Sequence, residues 1–332
     1  MGERNVQTKS FISQNERFAD LCNYYLFDGK EVVWAEDLQE QDVTELALPY
    51  AEDNMETIER IRDVLKGCAI KSTEDTTYLI VGIENQSDIH YAMVIRNMLY
   101  DALNYTKQVN IITQEHRKKK DLLREEYLSG FSKEDKLIPV ITITVYWNEG
   151  KWDGPRSLYE MLRVNHPEVL QFVSDYKMNL LVPNEIRDFE KFRTELGGVM
   201  EFLSCAHARD ELRKLIETKY DKGLYMGREE VQLLNACINL KLPVPEKGEK
   251  VEVCKGMLEW LEEEKNIGIQ EGISQGISQG ISQGVDRGRE EGADMLSKLI
   301  LHLVDLDRME DVVRVASDKQ YRKEMFVQFG IQ

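Results

Sequence analysis

The stretch TTYLIVGIENQS, residues 76–87, places a carboxylate where an apolar run should continue. In an extended strand alternate residues share a face, so Tyr78, Ile80, Gly82, Glu84 and Gln86 project together, opposite Leu79, Val81, Ile83 and Asn85. Both faces are largely apolar before Glu84, the pattern of a strand inside a covered sheet. A carboxylate entering such a site must be paired, protonated or bound to a cation. Asp63, in the run Arg62-Asp63-Val64-Leu65-Lys66, lies on what reads as the preceding strand, and sequential strands usually pair. Two carboxylates at adjacent strand ends form an oxygen-rich pocket suited to Mg²⁺, which keeps several waters and awaits a substrate phosphate. By pattern alone, a solvated strand end is the competing reading for both acids.

Arg96 and Tyr100 follow on the next helix at an i, i+4 spacing. That spacing turns both toward one target, either a phosphate in the cleft or each other at a surface. The helix is expected over about 91–109, with Val94, Ile95, Met98, Leu99, Ala102 and Leu103 as its buried stripe. Ahead of the site, the sequence predicts a helix over 15–27 capped by Asn15, with Phe18, Leu21, Cys22, Tyr25 and Leu26 on one face, ended by Asp28-Gly29. Short strands are expected around 32–34 and 44–48. Beyond the site, LIPVITITVYW (137–147) reads as a central strand, 157–164 as a short helix and 176–182 as a further strand closed by Pro183. After about residue 188 only helices are expected, through residue 260.

The 332-residue chain is acidic, with a net charge of −17. A nucleic-acid-binding protein usually carries a basic excess, so any DNA contact has to come from a local patch. The run HRKKK, residues 116–120, offers Lys118 and Lys119 to phosphates. Glu115, Asp121, Glu125 and Glu126 dilute it and no aromatic residue interleaves, so a solvated loop competes with that reading. The five cysteines form no C-x-x-C pair and the five histidines are scattered, which argues against a disulfide frame and against zinc. No stretch approaches the roughly 18 apolar residues that span a bilayer, and the polar start lacks an apolar signal core. A cytoplasmic protein with no membrane partner is expected.

Gly268, Gly272, Gly276, Gly280, Gly284, Gly288 and Gly292 recur every four residues. A four-residue step overshoots a helical turn by about 40°, so on a helix the glycines trace a slow spiral. Each interior glycine costs up to about 1 kcal/mol relative to alanine. Two readings follow: a small-residue stripe that lets a second copy approach, giving a homo-oligomer, or a semi-flexible connector to the segment 293–328. The change of pattern after residue 188 and the start of the repeat divide the chain into a sheet-containing domain (1–188), a helical subdomain (189–265) and a glycine-punctuated helix with a helical tail (266–332).

Asp63, then Glu84-x-Gln86, then a helix carrying Met93, Arg96 and Tyr100, resembles the PD-(D/E)XK nuclease superfamily, and within it the transposase-like branch of Rpn-type recombination-promoting nucleases. The resemblance covers roughly residues 15–185, in YLIVGIENQS, YAMVIRNMLYDALNY, YLSGFSKED, IPVITITVYW and DYKMNLLVP, and extends to the glycine-punctuated tail. It implies an α/β fold, a restriction-endonuclease-like mixed sheet flanked by helices, followed by an all-helical C-terminal region. The activity it implies is Mg²⁺- or Mn²⁺-dependent hydrolysis of DNA phosphodiesters, serving recombination, transposition or defence. Carried over by residue, Asp63 and Glu84 would hold the metal, Gln86 stands where the general motif has lysine, and Asp20, with Glu16 as the alternative, would complete the site. The absent lysine removes a charge that would stabilise the phosphorane, so more must come from the metal. Decay into a non-catalytic binding or assembly module is the rival expectation. A metal-dependent phosphatase fits less well, since it leaves Arg96 and Tyr100 without a role.

Overall fold

Phe11 and Ile12 give the polar N-terminal stretch an apolar end to bury, and it folds as a helix, α1 (Glu3–Ile12). It leads into α2 (Asn15–Phe27), which ends as expected at Asp28, in the left-handed conformation, and Gly29. Both belong to a computed structural model that describes residues 3–42, 44–47, 58–61, 63–71, 76–164 and 166–331. Asn15 does not cap α2, because its amide donates to Ala35 O and its carbonyl accepts from Lys66 Nζ at 2.5 Å. The segment 32–34 is not a strand. Val32 and Val33 N–H both donate to Asn23 Oδ1, and Asn23 Nδ2 donates to Val33 O, so one buried side chain supplies the bonds that a neighbouring strand would have made.

The central sheet has five strands in the order β1-β4-β5-β6-β7, namely β1 (Gln39–Glu40), β4 (Val64–Lys71), β5 (Thr76–Gln86), β6 (Val140–Tyr146) and β7 (Asn179–Leu181). The first three are antiparallel and β5, β6 and β7 are parallel, so the fold is mixed α/β. The strands β2 (Thr44–Ala47) and β3 (Ile58–Ile61) pair as a separate antiparallel ribbon. Leu48 and Arg62, expected in strands, lie outside the described residues. Parallel neighbours need a long crossover, and α3 (Met93–Lys119) supplies it between β5 and β6. Two short helices follow, α4 (Arg124–Ser129) and α5 (Leu158–Met161), the latter capped by Ser157, whose hydroxyl accepts from Glu160 N–H. Next come α6 (Leu196–Cys205), α7 (Arg209–Lys219) and α8 (Arg228–Ile238). The expectation of helices alone after residue 188 misses one ribbon, β8 (Tyr225–Met226) paired with β9 (Val251–Glu252). The chain finishes with α9 (Cys254–Asp305), α10 (Met309–Ser317) and α11 (Lys319–Phe329).

The two sheet faces differ in chemistry. One carries Val64, Val81, Ile83, Ile143 and Val145, and packs into a core shared with Phe11, Phe18, Leu196, Phe202 and Leu233, so α6 and α8 are continuous with the sheet core. The other face, under α3, is mixed: Leu65, Val140 and Tyr146 are buried there beside the polar Glu84, Thr142 and Thr144. Contacts divide the chain into two compact units, up to Leu261 and from Glu262 onward. In the second unit Leu299, Leu303, Val315 and Met325 pack the end of α9 against α10 and α11. The repeat is continuous helix with open glycines: a Cβ on any of the seven would meet nothing within 4 Å. Beside them Ile269, Ile273, Ile277, Ile281 and Val285 form a ridge 48–63% exposed. Among the described residues no helix is long and apolar enough to cross a membrane.

Candidate active site

Val64 lies opposite Ile83 in the antiparallel β4–β5 pair, so Asp63 stands beside Glu84 one step further on. Each acid holds the other's strand end. Glu84 Oε1 faces Asp63 N–H at 3.4 Å, and Asp63 Oδ2 accepts from Asn85 N–H at 2.8 Å. Glu84 has no exposed surface, while Asp63 is partly open. On the other flank, the parallel register sets Thr144 opposite Glu84 and Tyr146 opposite Gln86. Gln86 is half-buried and shares the face of Glu84, as strand alternation requires.

The helix α3 meets this face with polar side chains. Asn97 Nδ2 donates to Thr144 Oγ1 at 2.8 Å, Thr142 Oγ1 donates to Asp101 Oδ1 at 2.5 Å, and Tyr176 OH donates to Asp101 Oδ2 at 2.6 Å. Asn97, Thr142 and Thr144 are fully buried. The expected apolar stripe holds at Val94 and Leu103 but not at Ile95, Met98 and Ala102, which are exposed, while Met93, Asn97, Tyr100 and Asn104 are buried in their stead. The cause lies in the sheet. Its Glu84, Thr142 and Thr144 need hydrogen-bonding or charged partners once covered, and apolar side chains cannot provide them. The sequence did hold a signal for these unanticipated residues, in the alternate threonines of β6 and the Asn97, Asp101, Asn104 spacing.

Arg96, in the first turn of α3, brings Nη2 to 3.3 Å from Glu84 Oε2 while its Nε donates to Tyr100 OH at 3.0 Å. Burial pulls the guanidinium pKa down, but Glu84, the Tyr100 bond and Asp63 outweigh it and raise the pKa, so Arg96 is a permanent cation beside both acids. Tyr100, expected to contact substrate, has almost no surface with which to do so. It is 1% exposed, and its hydroxyl positions Arg96. Lys66 cannot replace the absent motif lysine either, because it lies on the opposite face with Nζ bound to Ser13 O and Asn15 Oδ1.

Asp20 has a different task from the one expected. Its oxygens accept from Arg193 N–H at 2.9 and 3.1 Å, from Thr194 N–H at 2.8 Å and from Thr194 Oγ1 at 2.6 Å, fastening α2 to the approach to α6. A carboxylate so engaged is not free to complete a metal site, and Glu16 is exposed on the same helix. Asp20→Ala should therefore cost about 3 kcal/mol in urea unfolding, given the usual worth of hydrogen bonds to a charged group, and should leave a Mn²⁺ titration of the folded protein the same as that of wild type. Unchanged stability with lost Mn²⁺ binding would return Asp20 to the metal site.

Lys118 and Lys119 are not in a loop but in the last turn of α3, where cations suit the negative helix end. Lys119 is 23 residues beyond Arg96, roughly 34 Å along the helix at 1.5 Å per residue. The structure does not bring Lys118 or Lys119 to the acids. Lys119 instead faces Glu115 at 3.8 Å, and His116 hydrogen-bonds Asp121 and Asp135, which raise its pKa.

Among the described residues, no three His, Cys, Asp or Glu side chains converge as metal ligands. Two hard carboxylates are too few for a zinc or calcium cage but of the kind Mg²⁺ takes, since it fills its remaining positions with water and phosphate oxygens. The residues present therefore fit Mg²⁺ or Mn²⁺. No protein-family model, curated protein or solved structure matches the chain.

Proposed function

We propose that the protein is a divalent-metal-dependent DNA endonuclease on a restriction-endonuclease-like sheet, acting in recombination, transposition or defence. The observation that carries this reading is the fully buried Glu84 beside Asp63, on a sheet face where an arginine points at the same spot. Asp63 and Glu84 would hold the cation, which when bound supplies Lewis-acid stabilisation of charge on the phosphoryl oxygens. Gln86, beside Glu84, orients an attacking water through its amide without adding charge. Arg96 donates to a phosphate oxygen, and Tyr100 fixes its direction. The Asn97–Thr144 bond holds α3 in register with the strand that neighbours Glu84. Supercoiled plasmid incubated with Mg²⁺ or Mn²⁺ should be nicked, and a chelator should stop the reaction. The non-catalytic reading draws on one observation, that Arg96 already balances Glu84, and plasmid bound but intact with either metal would establish it.

The partner for the exposed ridge of α9 is a second copy of the chain. Rows of residues four apart are the ridges that interdigitate in the commonest helix packing, and here an Ile ridge adjoins a Gly groove, so two copies related by a two-fold axis fit each other. Sedimentation should give a dimer for the wild type and a monomer for Ile273→Lys with Ile277→Lys; an unchanged mass would exclude this ridge as the contact.

A further inference from the structure

Glu84 lies under α3 without any exposed surface, and a cation of the protein's own, Arg96, stands beside it. The Arg96 guanidinium is 3.3 Å from Glu84 Oε2, the side of the carboxylate that is not directed at Asp63 N–H. It is tethered at the other edge by Tyr100, whose hydroxyl accepts from Nε and whose ring lies 5.5 Å from the guanidinium carbon. A hard divalent ion would approach that carboxylate at about 2 Å. The guanidinium and the ion would then stand a few ångströms apart with like charge in a poorly solvated place, where repulsion is strong. The two cations therefore compete for Glu84 in this geometry. The side chain of Arg96 is 36% exposed, so it has solvent to turn into.

We infer that Arg96 is the resident counter-cation of Glu84, which a divalent ion must displace, so that the chain's own arginine sets the metal affinity of the site low. This rests on the reading of Asp63 and Glu84 as the metal-holding pair. It also gives Arg96 two alternating positions, on Glu84 when the metal is absent and on a phosphate oxygen when it is present. Metal and phosphate then favour one state of the same side chain, and each strengthens the other's binding.

The test is Mn²⁺ binding to the full chain without DNA, read from the electron paramagnetic resonance of free Mn²⁺, with thermal melting of each variant as a check on folding. Arg96→Gln should bind Mn²⁺ at least tenfold more tightly than wild type, and Mn²⁺ should raise its melting temperature by more. Arg96→Lys, which keeps the charge, should stay near wild type. Glu84→Gln should lose the binding. Equal or weaker binding by folded Arg96→Gln, with Glu84→Gln still losing it, overturns the role of Arg96 and leaves the metal site standing. Binding indifferent to Glu84→Gln, or absent from wild type and Arg96→Gln alike, overturns the metal-site reading and this inference with it.

Discussion

Glu84→Gln should lower plasmid nicking by at least about 10³-fold, a loss of roughly 4 kcal/mol in transition-state stabilisation. The change swaps one oxygen for an NH₂ and keeps the side-chain volume, so it tests charge rather than packing. A neutral amide binds Mg²⁺ poorly, and Arg96, partly open to solvent, can turn to water once its partner is uncharged. Stability should therefore stay within about 1 kcal/mol of wild type, because replacing a buried charge by a neutral isostere removes its desolvation cost along with its attraction. Asp63→Asn should behave similarly in cleavage, since its side-chain oxygen can still accept from Asn85 N–H. Folded variants that nick at the wild-type rate would place the chemistry elsewhere.

The largest loss of stability is expected at a distance from the site. Arg17 is 5% exposed and its guanidinium meets three carboxylates: Glu195 at 2.7 Å from Nε, Glu229 at 2.5 Å and Glu230 at 2.5 Å; it also lies 3.9 Å from the centroid of the Phe11 ring. It ties α2 to the start of α6 and to α8. Arg17→Ala leaves those acids facing one another without a cation, and should destabilise the protein by roughly 3–5 kcal/mol. Lysine should restore little, because a single ammonium cannot serve three directions. The loss should shrink on acidification. Burial already raises the Glu230 carboxyl above its ordinary value of 4.5, and losing Arg17 raises it further. A carboxyl whose folded pKa lies above its unfolded one takes up a proton on folding, so stability falls as pH rises through the folded pKa and is regained as pH falls toward 4.5. Urea midpoints of wild type and Arg17→Ala at neutral pH and near pH 5 measure both effects; a gap that widens in acid would contradict the assignment.

How far the sequence leads depends on what each element answers to. The strand β5, the interior strand β6 and the adjacency of Asp63 to Glu84 were legible because strand alternation and sequential pairing are local rules. The face of α3 was legible only in part, at Val94 and Leu103, because apolar periodicity assumes an apolar partner, and β5 and β6 also present Glu84, Thr142 and Thr144. Asp20 was misread for a related reason: its partners, Arg193 and Thr194, lie more than 170 residues away, and no local pattern announces them. Asn23 took the place of a strand around Val33 by the same means, one side chain substituting for a ladder. The HRKKK run extended its helix because arginine and lysine are good helix formers whose charge suits a helix C-terminus.

The four-residue repeat in α9 also behaves as an adjustable spacer. Adding or deleting one ISQG unit keeps the helix and the Ile ridge intact, since the three ISQG units at 273–284 are identical. Each unit nevertheless translates the terminal bundle of α10 and α11 by about 6 Å along the axis and rotates it by about 40°. Nine units would restore the original azimuth. Copy number of a short coding repeat thus acts as a dial with discrete stops, setting the length of α9 and the azimuth of its last turn relative to its first without a single change to the sequence of α10 or α11.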